Sequence, residues 1–132
     1  MQIEWRDEWL VGEDRIDGDH RELQSIINRI YQAVEQRESR AAVTQLLRAL
    51  LARSAEHFSY EECLMAGSGY PKAESHRSQH AMLINIGNIL TQNIDLTNNE
   101  IVLGTIGFFG DWLITDIENN DAAFGRFLAA RH

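Results

Sequence analysis

The sequence predicts an all-α fold, an antiparallel up-down-up-down four-helix bundle with an N-terminal arm. Three observations carry that prediction. Four stretches place apolar residues at alternating steps of three and four, the period of a helix with one buried face. The chain holds a single proline, Pro71, so little interrupts those stretches. The connections between them are short and polar, which joins neighbouring helices antiparallel.

The elements follow in order. Residues 1–18 lie outside the bundle pattern, and their Trp5, Trp9, Val11 and Ile16 are expected to fold back over it as an arm. The first helix is expected over about 19–36, with His20, Leu23, Ile27, Ile30 and Val34 on one face. The second starts at Ser39, a good N-cap residue, and runs to about 66. Its inward stripe is Val43, Leu46, Leu47, Leu50, Ser54, His57, Glu61, Leu64 and Met65, and Gly67-Ser68-Gly69 stops it. The third opens at Pro71, suited to a first turn, and carries His76, His80, Leu83, Ile84, Gly87 and Leu90 inward. The fourth opens at Thr97-Asn98-Asn99-Glu100, a capping-box pattern. It turns Val102, Leu103, Ile106, Phe109, Leu113, Asp116, Ile117 and Asp121 to the core. Gly104, Gly107 and Gly110 form a stripe beside that face and are read as close packing against a neighbouring helix. One domain is expected, with the bundle over 19–121 and a tail over 122–132. A 20-residue helix is about 30 Å long, close to twice the radius of gyration of about 14 Å expected for this length.

Composition narrows the function classes. The 132 residues hold 12 Lys+Arg against 20 Asp+Glu, a formal charge of −8. That balance speaks against nucleic acid, which is bound by surplus cationic side chains, and against an anionic membrane surface. No apolar run approaches the roughly 18 residues of a membrane span. The first residues have no basic or apolar signal region, so no secretory signal is expected. One cysteine, Cys63, cannot form an internal disulfide, which suits a reducing compartment. A cytoplasmic monomer is the expectation.

The informative residues are the polar ones inside the apolar stripes: His20, His57, Glu61, His76, His80, Asp116 and Asp121. A lone core histidine is ordinarily satisfied by a hydrogen bond. A buried carboxylate costs several kcal/mol without a partner, and no Lys or Arg shares these faces. Seven such groups need a common counter-charge, which a pair of di- or trivalent cations supplies. His57 and Glu61 are one helical turn apart, and so are His76 and His80, so each pair can grip an ion from one side. Imidazole suits iron, copper, nickel or zinc, and carboxylates add hard donors that can bridge two ions. A mixed nitrogen and oxygen set inside a four-helix bundle is a common construction for di-iron sites. A single zinc wants about four ligands, fewer than the seven on offer.

These residues resemble the hemerythrin family, specifically the bacterial hemerythrins. The resemblance rests on Val11-Gly12, Ile16-Asp17-Gly18-Asp19-His20, His57-Phe58-Ser59-Tyr60-Glu61-Glu62, Leu64-Met65, Gly69-Tyr70-Pro71, His76, His80, Trp112-Leu113-Ile114-Thr115-Asp116-Ile117 and Asp121. It covers nearly the whole chain. It implies two non-haem iron ions bridged by Glu61, Asp121 and a solvent-derived oxygen. One iron would take His20 and His57 and keep an open position for O2. The other would take His76, His80 and residue 116. Phe58, Phe109, Leu113 and Ile117 would wall the ligand pocket. With no sensor or output domain attached, the resemblance implies a free-standing O2-binding protein.

The family pattern has histidine where this chain has Asp116. A carboxylate donor falls roughly 1.5–2 Å short of an imidazole's far nitrogen. Three outcomes follow: helix four shifts inward, a water bridges the gap, or that iron keeps a second open position. The extra anion also favours ferric iron. His132 is expected to be a tail and not a substitute ligand. Cys63 reads as an incidental, partly buried thiol and Trp112 as a packing residue. Glu56, Glu62 and Asp111 read as solvated charges. Three functions follow: reversible O2 binding for storage, delivery or sensing; a di-iron oxidase, peroxidase or nitric-oxide-handling activity, which the third carboxylate supports; and metal storage without dioxygen chemistry.

Overall fold

A computed structural model describes residues 2–131, and His132 lies outside the described residues. Helix α1 spans Asp14–Glu35, α2 Arg40–Ser68, α3 Ala73–Gln92 and α4 Asn99–Thr115. A π-helical segment, Asp116–Asp121, follows α4 and leads directly into α5, Ala122–Ala130. The four long helices form an antiparallel bundle, with no strand among the described residues. None of the described helices is long and apolar enough to cross a membrane.

Local chemistry sets the helix ends. Glu13 caps α1 by accepting from Ile16 N–H at 2.7 Å, and Ser39 caps α2 through Ala42 N–H. Gly69 ends α2 at φ 74°, a left-handed conformation that glycine adopts without penalty. Pro71 and Lys72 lie in a turn, so α3 starts two residues later than the proline suggests. At α4 the cap is Asn98, whose side chain accepts from Ile101 N–H at 2.9 Å. Thr97 instead donates its hydroxyl to Ile94 O, so the expected capping box is replaced by a single Asn cap.

The arm is shorter than expected. Residues 14–18 are the first turns of α1, and only the segment before them crosses the bundle. Trp9 is buried and donates its indole N–H to Glu118. Ile3 exchanges hydrogen bonds with Asn28 and accepts one from Gln24. Residues 122–130, expected as a tail, are helical because Phe124 is buried against Ile16 and Met65. Gly125 meets the arm so closely that a Cβ would strike the Val11 carbonyl.

Two apolar clusters result. The larger gathers Leu23, Leu50, Leu83, Val102, Phe109, Leu113 and their neighbours. The smaller gathers Ile16, Met65 and Phe124. In α1 the order is Ile16, His20, Leu23; in α2 it is Leu50, His57, Glu61, Met65. Along the last helix it is Leu113, Asp116, Asp121, Phe124. On each helix, polar residues therefore stand between the two clusters, in one layer shielded from water on both sides.

Candidate metal centre

All seven sequence-predicted donors are buried, at most 3 % exposed. They fall into two groups whose donor atoms lie within 4.8 Å of one another: His20, His57, Glu61 and Asp121; and Glu61, His76, His80 and Asp116. Glu61 belongs to both. Two donors facing each other across an ion at bond lengths of about 2.1 Å stand about 4.2 Å apart, so separations inside this limit are of the size that shared coordination requires.

Within the layer, His20 Nε2 stands 2.8 Å from Asp121 Oδ2, and His57 Nε2 3.3 Å from Glu61 Oε2. His76 Nδ1 lies 3.4 Å from Glu61 Oε1, and His80 Nε2 3.7 Å from the same oxygen. His76 Nε2 is 4.0 Å from both Asp116 Oδ1 and Asp121 Oδ1. These are approaches without hydrogen-bond alignment for several atoms. Both ring nitrogens of His20, both oxygens of Glu61, both of Asp121 and His76 Nε2 have no hydrogen-bond partner among the described residues. An unmet buried polar atom costs about 1–3 kcal/mol. A convergent set of unmet imidazole nitrogens and carboxylate oxygens is what a bound cation pair would satisfy, so the residues present fit the metal that the donor chemistry implies.

Charge in the layer is unevenly held. Burial, then the neighbouring charge of His57, depresses the His20 imidazole to about 3. Burial works to raise Glu61, but the imidazoles of His57 and His76 outweigh it and hold the carboxyl well below the usual range. Burial and then the charge of Glu61 push Asp116 up to about 6. The same two causes, with Asp116 added, push Asp121 well above the usual carboxylate range.

Two imidazoles are anchored from outside the layer. Asp19 Oδ2 pairs with His57 Nδ1 at 3.0 Å, and Glu62 Oε2 with His80 Nδ1 at 3.0 Å. A carboxylate on one ring nitrogen fixes the ring and leaves the other free to ligate. The sequence does not single out Asp19 for such a role, and Glu62 reads there as a solvated charge. Their signal is position: each adjoins a donor, at His20 and Glu61. Cys63 is exposed, not partly buried.

Asp116 is carried to the second group by the end of α4, and the π segment that starts there sets Asp121 relative to it. In an α-helix, residues five apart lie about 140° apart around the axis. Hydrogen bonds of the i→i+5 kind stack residues five apart instead. That draws Asp116 and Asp121 closer together, where the regular 100° step leaves them at opposite edges of the inward face. Asn120 donates to Asp116 Oδ1 at 2.9 Å and to Gln79 Oε1 of α3 at 3.3 Å.

Beside the donor layer is a small apolar cavity, with about 10 Å³ of room for the centre of a water-sized molecule. Leu23, Ser54, Leu83 and Leu113 line it, each three residues from a donor on its own helix, together with Phe58, Phe109 and Trp112. Phe58 stacks on His80 at 3.9 Å. Ile117, expected in that wall, is buried but does not line it.

The fold matches a crystal structure of a hemerythrin point mutant with a TM-score of 0.83, at 21 % identity over 94 % of this chain and 95 % of that one. A bacteriohemerythrin of Pseudomonas aeruginosa is 27 % identical over 121 residues, 91 % of this chain and 77 % of the relative. One from Clostridium acetobutylicum is 26 % identical over 124 residues, 91 % of this chain and 96 % of the relative. The family model described as hemerythrin HHE cation binding domain matches residues 11–128. With that match spanning the end of the arm, the buried donor layer and the π segment, the chain belongs to the hemerythrin family.

Proposed function

We propose that the chain holds two non-haem iron ions and binds O2, or a similar small ligand, beside them, in storage, delivery or sensing. His20, His57, Glu61 and Asp121 would hold one ion, and Glu61, His76, His80 and Asp116 the other. When bound, the iron pair supplies the electrons and the open coordination position that reversible O2 binding requires. The observation that carries this reading is the pair of donor groups sharing Glu61, with nitrogens of His20 and His76 and oxygens of Glu61 and Asp121 unmet. The relatives' name, bacteriohemerythrin, supports it.

The protein's own contribution is positioning and exclusion of water. Asp19 and Glu62 hold the rings of His57 and His80 by their Nδ1 atoms. The larger apolar cluster on one side and Met65 with Phe124 on the other keep bulk water from the layer. The adjoining cavity has room for about one water-sized molecule, since about 10–15 Å³ of such room admits one water, and apolar side chains form most of its wall.

One observation favours a second reading. Asp116 gives the layer a third carboxylate, which suits oxidase-, peroxidase-like or nitric-oxide-handling chemistry. A single experiment separates the two. The chain is loaded with ferrous iron without air, assayed for iron and zinc, and its visible spectrum is followed after O2 is admitted. About two irons per chain and a persistent O2-dependent absorption are expected. Immediate bleaching favours the second reading, and no spectral change refutes both.

A further inference from the structure

Asp116 is the donor least secured by its surroundings. It is shorter than the histidine of the family pattern, and the carboxylate charge of Glu61 bears on it within the buried layer. Like charges push it away from the position a ligand must hold. One neutral group opposes them. Asn120, on the same π segment, donates an amide hydrogen to Asp116 Oδ1 at 2.9 Å. The same nitrogen lies 3.3 Å from Gln79 Oε1. An amide nitrogen carries two hydrogens, so both bonds form at once. Gln79 sits on α3 between His76 and His80.

The helix that carries two donors of the second group therefore also reaches, through Gln79 and Asn120, the donor supplied by the last helix. A carboxylate only accepts, so Asn120 must present nitrogen to Asp116. Gln79 Oε1 accepts from that same nitrogen and selects the same orientation. The oxygen so held, Oδ1, is the one that stands 4.0 Å from His76 Nε2, so the amide fixes the carboxylate beside the second group.

We infer that Asn120, set by Gln79, is a positioning residue that holds Asp116 as a ligand of the second metal and so compensates for the missing histidine. The inference rests on the two-metal reading above. It makes Asn120 important only because residue 116 is an aspartate. In a chain with histidine at that position the amide has no carboxylate to hold.

Cobalt(II), whose visible absorption reports its coordination, is the probe. It is titrated into the full chain and into the Asn120→Ala, Asp116→His and doubly substituted chains, with competition against a chelator. Two cobalt ions per unsubstituted chain are expected. Asn120→Ala is expected to weaken the second ion about tenfold or more, as loss of an outer partner of a ligand does, and to alter its absorption. The first ion is expected to bind as before. With Asp116→His present, Asn120→Ala is expected to leave the second ion's affinity essentially unchanged. Asn120→Leu, which keeps the volume and removes the donor, should repeat the loss if Asn120→Ala folds poorly by circular dichroism.

A loss from Asn120→Ala that is equal with and without Asp116→His overturns the inference, because it shows that Asn120 only stabilises the helix. Two ions bound with unchanged affinity in Asn120→Ala and Asn120→Leu overturn it too, while leaving the two-metal reading intact. Fewer than two ions in the unsubstituted chain overturn that reading and the inference with it.

Discussion

Asp116 is the residue at which chemistry, pH and stability meet. Its folded pKa of about 6 stands above the ordinary 3.8, through burial and then the charge of Glu61. A raised folded pKa means that the metal-free native state holds this proton more tightly than the unfolded chain. The resulting stability is present below about pH 4 and is lost as pH rises through 6. The difference of about two pH units corresponds to about 3 kcal/mol. Asn in this place cannot ionise. Asp116→Asn should therefore gain about 3 kcal/mol over the metal-free parent between pH 4 and pH 7. Urea unfolding of both chains with chelator at several pH values measures this, and a constant difference would refute it. At this scale the burial of the seven polar positions is legible in the sequence, because they recur inside otherwise apolar stripes. Asp19, Glu62 and Asn120 are not. Each lies at the edge of a buried face, where sequence alone does not say which helix it meets.

At the scale of elements, the interiors of the helices follow their periodicity, and the ends do not. The inward stripe of α2 is buried at Val43, Leu47, Leu50, Ser54, His57, Glu61 and Met65, because a 3.6-residue period is a local property. The fifth helix escapes a sequence reading because its burial depends on Ile16 and Met65, distant in sequence. The π segment escapes it because i→i+5 bonding leaves no periodic mark in six residues. The glycines divide by tertiary context as well. Gly107 faces the Tyr31 hydroxyl, Gly110 faces Ile3 of the arm, and Gly104 meets nothing within 4 Å. The close-packing reading thus fails at Gly104. There alanine adds helix propensity of up to about 1 kcal/mol with no collision. At Gly125 the same substitution drives a methyl into the Val11 carbonyl, and overpacking of this kind costs about 1–3 kcal/mol. Gly104→Ala should raise the melting temperature by a few degrees and Gly125→Ala should lower it. Melts of the two variants beside the parent decide this, and equal shifts would contradict the arm's close approach to α5.

Across the whole molecule, a layer of buried acids and imidazoles lies between two apolar clusters in a chain of formal charge −8. Two divalent ions would halve that charge and satisfy atoms that the metal-free fold leaves unmet. The unfolded chain scatters the same donors and gains less from the metal, so binding is linked to folding. A site held at a hundredfold excess of metal over its dissociation constant adds about 2.7 kcal/mol. For a domain of this size that is about 10 °C of melting temperature. The chain should therefore melt progressively higher as ferrous iron or cobalt is raised under anaerobic conditions, and return to its starting value with chelator. Two controls make the test specific to the layer. Glu61→Ala removes the donor common to both groups and should abolish most of the rise. Cys63→Ala removes an exposed thiol outside the layer and should keep it. A rise that survives Glu61→Ala but vanishes with Cys63→Ala would place the metal on the surface, and the buried layer would then need another account of its unmet charge.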